Sequence, residues 1–95
     1  MDDYIHNKAL IELFSAILKL KNEDECRRFF RDLCTLEELK EMSRRWQAAK
    51  MLNQKVSYRD VADKTHLSTT TVSRVAYWLK NGAGGYQLIL SRLKK

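Results

Sequence analysis

Ninety-five residues make one domain by length, and a domain this small buries a limited fraction of its surface on folding. Eighteen Lys and Arg against twelve Asp and Glu leave a net charge of +6, which favours a polyanionic partner: nucleic acid first, a membrane surface or a ribosome as the other readings. No apolar run approaches the ~18 residues of a membrane helix, Cys26 and Cys34 sit at neither disulfide-framework nor metal-ligand spacing, and the start does not read as a leader peptide, so the expectation is a cytoplasmic protein with no cofactor, metal or membrane partner.

The charge is unevenly placed. Residues 1–45 hold nine basic and ten acidic side chains, whereas residues 46–95 hold nine basic and two acidic ones. The polyanion-binding surface is therefore expected in the second half. Proline is absent and glycine is confined to Gly82, Gly84 and Gly85, so nothing before residue 82 is a strong helix breaker and the fold class is all-α.

In chain order, Leu10, Leu13, Phe14, Ile17 and Leu18 recur at helical spacing and predict a first amphipathic helix from about Ile5 to Leu20, with an apolar face wide enough to be covered on more than one side. Asn22 with Glu25 three residues later forms a capping-box pattern for a second helix whose face is Cys26, Phe29, Phe30 and Leu33. Both thiols read as reduced core or interface residues. Thr35 with Glu38 repeats the pattern, and Leu36, Leu39, Met42, Trp46, Ala49 and Leu52 carry a long third helix. Its acidic residues cluster near the start and basic ones follow, as the helix dipole favours.

Ser57-Tyr58-Arg59-Asp60 opens a short helix with Val61 and Ala62 facing inward, which stops near Thr65-His66. Leu67 then precedes Ser68, an N-cap residue, and a second helix runs from Thr69 to Lys80 before Asn81-Gly82 ends it. Short helix, tight turn with a buried apolar residue, second helix: this is the layout of a helix-turn-helix, placed at 57–80. Ser68, Thr69, Thr70, Thr71 and Ser73 give the second helix a short, hydroxyl-rich start that fits a DNA major groove, where hydroxyls bond base edges or phosphates and threonine methyls meet the thymine methyl. Val72, Val75, Ala76 and Leu79 are expected to face the core. Lys55, Arg59 and Arg74, with Lys50 and Lys64, are candidate phosphate contacts. With Ser57 at the front of the first helix, Lys55, Arg59, Ser68, Thr69, Thr70, Thr71, Ser73 and Arg74 make up the candidate DNA-binding set.

His6 and His66 lie sixty residues apart with no ligand set around either, and read as surface or capping residues. Gly82 to Gly85 has no strand before it and no Gly-Lys-Ser/Thr after it, so it is a hinge and not a phosphate loop. Beyond it, a last helix from Tyr86 to Leu93 leaves Leu88, Ile89 and Leu93 in need of a partner surface. No cluster of nucleophile, acid and base is present, so an enzyme is not expected.

Taken together, Leu33-Cys34-Thr35-Leu36-Glu37-Glu38-Leu39, Ser57-Tyr58-Arg59-Asp60-Val61 and Thr71-Val72-Ser73-Arg74 followed by Leu79-Lys80 resemble the Trp repressor family, most closely its YerC/YecD branch in Gram-positive bacteria. The resemblance spans Leu33 to Leu93. It implies a six-helix chain forming an intertwined homodimer, with residues 1–54 and 84–95 as dimerisation helices around the reading head, the whole chain 1–95 being one helical domain. It further implies a bacterial repressor whose two reading helices enter successive major grooves of an inverted repeat, with Arg59, Thr69, Thr70 and Ser73 on DNA.

Family members that sense tryptophan stack its indole between two arginines, matched here by Arg45 and Arg74, with Thr35 matching a further pocket residue. Where those members have a glycine and a serine, this chain has Val75 and Trp78, and their bulk is expected to fill the cavity. Free tryptophan is then not the corepressor expected, while another small-molecule effector stays open. Beside the reading as a regulator of DNA stands another: a helix-turn-helix that docks a second transcription factor or a polymerase subunit.

Overall fold

The computed structural model describes residues 2–93, which form a 3-10 turn, Asp2–His6, and six α-helices: α1 Lys8–Ile17, α2 Glu23–Leu33, α3 Leu36–Asn53, α4 Tyr58–Thr65, α5 Thr69–Asn81 and α6 Gly85–Leu93. Among the described residues there is no strand, and no helix is long and apolar enough to cross a membrane. The chain divides into two compact units, one running to Leu39 and one from Lys40 on.

In the first unit, helix starts follow local capping chemistry. The Asn7 side chain accepts from the backbone N–H of Ala9 at 2.9 Å and of Leu10 at 3.3 Å, so α1 begins at Lys8 and not at Ile5, and the residues before it wind into a 3-10 turn. At its other end the helix closes on Leu18, short of the expected Leu20. The apolar pattern outruns the helix because it marks a face to be covered, which does not require helical hydrogen bonds at either margin. Asn22 caps α2 by accepting from Glu25 N–H at 2.9 Å, while the Glu25 carboxylate accepts from Lys21 N–H at 2.9 Å, one residue earlier than in a standard capping box. Thr35 and Glu38 make the reciprocal pair in full, at 3.1 and 2.8 Å.

Neither α1 nor α2 buries a single residue. Ile11, Phe14, Leu18 and Leu33 are exposed, Leu18 at 83%. Phe29 and Phe30 are half-buried and meet edge to face at 5.7 Å. Both cysteines are free thiols, but Cys26 is exposed and Cys34 only half-buried, so neither is a core residue of this chain.

The second unit holds the core. Ala48, Ala49 and Leu52 of α3, Val61 of α4, Leu67 of the turn, Val72, Val75, Ala76 and Leu79 of α5 and Leu90 of α6 form one buried cluster. α3 ends where Lys55 takes a left-handed backbone (φ 68°), its N–H bonding to Leu52 O at 3.0 Å while Val56 N–H reaches Met51 O at 3.1 Å. These two bonds satisfy carbonyls that a helix end otherwise leaves open. At the other end of the unit, Gly82 follows α5 because a Cβ there would stand 2.6 Å from the Trp78 carbonyl oxygen. Gln87 Nε2 donates to Leu79 O at 3.1 Å, and the Tyr86 ring stacks on Trp46 at 6.2 Å, with Lys50 Nζ 5.8 Å from the Trp46 ring centre. These contacts fasten α6 to the cluster.

Candidate nucleic-acid interface

α4 and α5 are joined by three residues, His66, Leu67 and Ser68. Ser57 caps α4, its Oγ accepting from Asp60 N–H at 3.2 Å. Thr65, at the helix end, is buried; its hydroxyl donates to Val61 O at 2.7 Å and accepts from Leu67 N–H at 3.3 Å. His66 then adopts a left-handed backbone (φ 63°) and its N–H bonds to Ala62 O at 3.0 Å, which reverses the chain; Leu67 drops into the core. Ser68 starts α5 by accepting from Thr71 N–H at 3.0 Å. The buried Thr65 hydroxyl bonds on both sides of the bend, so the angle between the two helices is set by hydrogen bonds as well as by packing.

α5 is divided sharply by face. Val72, Val75, Ala76 and Leu79 are buried, as the spacing predicts. With ~100° per residue, the stripe diametrically opposite them runs through Thr70, Arg74, Tyr77 and Asn81, with Ser73 beside it and Thr69 at the margin of the buried face, and all six are exposed. The hydroxyls sort into two kinds. Ser68 Oγ, besides capping, donates to Thr71 Oγ1 at 3.0 Å, so both belong to the helix start. Thr69, Thr70 and Ser73 make no side-chain hydrogen bond among the described residues and present their hydroxyls outward.

The candidate cations surround this helix without ion pairs among the described residues. Arg59, Lys55, Lys64 and Arg74 are exposed. Lys55 and Ser57 also line a groove of about 270 Å³ with Tyr58 and Lys80. Lys80 is absent from the expected set because a basic residue in a last turn is also what the helix dipole favours. Tyr77 is absent because its ring reads as apolar, although its seven-residue spacing from Thr70 was available.

The five residues of the expected effector pocket do different things. The Thr35 hydroxyl and N–H are both engaged in capping α3. Arg45 pairs along its own helix with Glu41 at 3.5 Å, not across helices. Val75 is fully buried, so bulk at that position does fill space in the core. Trp78 does not: it is 45% exposed and lines an apolar depression of about 370 Å³ with Gly82, Ala83, Gly85 and Tyr86, to which Arg45, Arg74 and Val75 contribute nothing. The difference is one of direction: at ~100° per residue Trp78 points roughly 110° from the centre of the stripe formed by Val72, Val75, Ala76 and Leu79. Among the described residues no group of three or more His, Cys, Asp or Glu is placed to hold a metal ion.

Comparison with known proteins agrees over nearly the whole length. A family model described as Trp repressor protein matches residues 8–94. YerC, an uncharacterized protein of Bacillus subtilis (strain 168), is 40% identical over 93 residues, covering 98% of this chain and 89% of the relative. A crystal structure of a TrpR-like protein from Eubacterium eligens superposes with a TM-score of 0.92 at 43% identity, over 96% of this chain and 94% of the other. One from Staphylococcus aureus, described as a candidate Trp repressor, gives 0.91 at 42% identity, over 98% and 93%.

Proposed function

The chain belongs to the Trp repressor family and is a helix-turn-helix transcription regulator, and from that premise we propose that it is a homodimeric, sequence-specific repressor that reads an inverted-repeat operator without tryptophan as corepressor. The observation that carries the reading is the outward stripe of α5, where unengaged hydroxyls at Thr69, Thr70 and Ser73 stand on a helix braced from behind by four buried residues. Such a helix sinks into a major groove because its leading side chains are short. Arg59, Arg74 and Lys55 are phosphate ligands in this reading, Ser57, Ser68 and Thr71 shape the helix starts and offer their remaining hydrogen-bonding capacity to the backbone, and the bound molecule acts in the cytoplasm.

Incomplete burial supports the homodimer: α1 and α2 expose their apolar faces, as does α6 through Leu88, Ile89 and Leu93. A second copy that interlocks through residues 1–54 and 84–95 supplies the missing cover and spaces two reading helices about one helical turn apart. Independence from tryptophan rests on Val75, whose side chain occupies core volume where tryptophan-sensing relatives have a glycine.

Selection from a random duplex library by the purified protein, at moderate salt and without tryptophan, tests all three claims. Enrichment of an inverted repeat is the expected outcome. Half-sites without symmetry would remove the dimer, enrichment only after tryptophan is added would remove ligand independence, and no enrichment at all would turn the module toward a protein partner. On the selected repeat, Thr70→Ala changes base preference, whereas Lys55→Ala weakens all duplexes alike and lowers the salt slope by ~2, one contact per protomer.

A further inference from the structure

Along the exposed face of α5 the side chains lengthen from the first turn to Tyr77, before Asn81 ends the helix. Thr70, in the first turn, and Ser73 are short; Arg74 and then Tyr77 are long. Tyr77 lies seven residues beyond Thr70, about 10 Å along the axis, on the same outward face. It is 61% exposed and its hydroxyl has no partner among the described residues. Nothing in the second unit needs this ring: the buried positions of the helix are filled by Val72, Val75, Ala76 and Leu79.

A helix that enters a major groove by its first turns leaves the floor as it proceeds. Side chains further along must span a widening gap, and what they meet is the sugar-phosphate wall of a groove about 12 Å across. A phenol suits that place, because it holds a hydrogen-bond donor at the end of a stiff arm with only two rotatable bonds, and it adds no charge. We propose that the Tyr77 hydroxyl donates a hydrogen bond to a backbone phosphate at the groove wall and so fixes the inclination at which α5 presents Thr69, Thr70 and Ser73 to the bases. This deepens the DNA-reading function and rests on it. Tyr77 is a positioning residue in that scheme: it reads no base, and it acts on specificity only through the helix it holds.

The test compares Tyr77→Phe, Tyr77→Ala and Arg74→Ala in the full-length chain on the selected repeat, on single-base variants of it and on unrelated duplex. Tyr77→Phe removes only the hydroxyl and leaves the fold intact, as its melting curve will show. It is expected to bind the selected repeat about a hundredfold more weakly, about tenfold for the hydrogen bond to a charged group lost from each protomer, and to lose less on unrelated duplex, where the inclination of α5 reads no bases. The plot of log affinity against log salt keeps its slope, because no cation is lost, whereas Arg74→Ala lowers that slope by about 2, one phosphate contact per protomer. Replacing successive phosphates by neutral methylphosphonate should locate one position per half-site where the wild type loses affinity and Tyr77→Phe loses no more.

Wild-type affinity in Tyr77→Phe, with or without an effect of Tyr77→Ala, overturns the hydroxyl contact. Altered base ranking in Tyr77→Ala with a neutral Tyr77→Phe makes the ring a base reader, and dissociation of a dimer by either variant makes it an interface residue; both also overturn the proposal. If instead the wild type itself prefers no duplex, the functional reading fails, an outcome separable from these because it is seen before any variant is made.

Discussion

Up to Leu39 the chain carries six basic and nine acidic residues and has no buried side chain in either of its complete helices; from Lys40 on it carries twelve basic and three acidic residues and holds the entire buried cluster. Both units show apolar residues at helical spacing, yet only one of them closes over its own. The difference lies in residue size. α3 and α5 bring small side chains, Ala48, Ala49 and Ala76, into the shared buried cluster, where small residues let elements pack closely. α1 and α2 carry Phe14, Leu18, Phe29 and Phe30, none of them buried within this chain. An amphipathic pattern therefore says that a face will be covered, without saying from which chain.

The sharpest way to break the comparison is to place a charge at matched depth in the pattern. Val72→Asp puts an unpaired carboxylate at a fully buried position, and a loss of more than about 4 kcal/mol is expected, enough to abolish cooperative thermal unfolding and DNA binding together. A sigmoidal melt close to that of the wild type would show that the second unit is not the stable one. In the first unit the paired change Phe14→Ser with Leu18→Ser removes two exposed apolar side chains. About 3 kcal/mol of contact per protomer, about 6 per dimer, should vanish, raising the dimer dissociation constant about ten-thousandfold in sedimentation equilibrium. Unchanged mass at every concentration would mean that α1 is not part of the interface.

Smaller effects sharpen the same contrast within the second unit. Gly82→Ala forces a Cβ against the Trp78 carbonyl, and a loss of about 1–2 kcal/mol is expected in denaturant titration, from displacement of the last turn of α5. His66→Gly relieves a left-handed backbone at a non-glycine residue and should stabilise by up to about 1 kcal/mol, less the greater chain entropy of glycine, whereas His66→Val should destabilise. Equal midpoints for the two His66 variants would contradict the conformation of the turn.

Much of this architecture was legible in the sequence because it is encoded within a few residues. Asn22, Thr35, Ser57 and Ser68 each announce a helix start three residues before a partner, and the faces of α3 and α5 follow from spacing alone. Three features were not legible, each because the deciding partner is distant or the residue untypical. Asn7 was passed over as a cap because the apolar pattern continues through it. The left-handed turns fall on Lys55 and His66, where no glycine marks them. Trp78 was expected to fill a cavity beside Val75, yet the direction of a side chain depends on where the neighbouring helices lie. Of the candidate site, the hydroxyl-bearing positions were visible, but their division into capping and unengaged groups was not, since it needs the hydrogen bonds of the folded turn.

That division has a consequence for how such proteins diverge. Ser68 and Thr71 are tied to each other and to the backbone, so changing them disturbs the helix, whereas Thr69, Thr70 and Ser73 stand on the surface, where substitutions shift stability by only a few tenths of a kcal/mol. Under the proposed reading, descendants of one ancestor would acquire new operators through three codons while the scaffold stays under separate selection, and a genome could keep several copies that share a fold and ignore one another's sites.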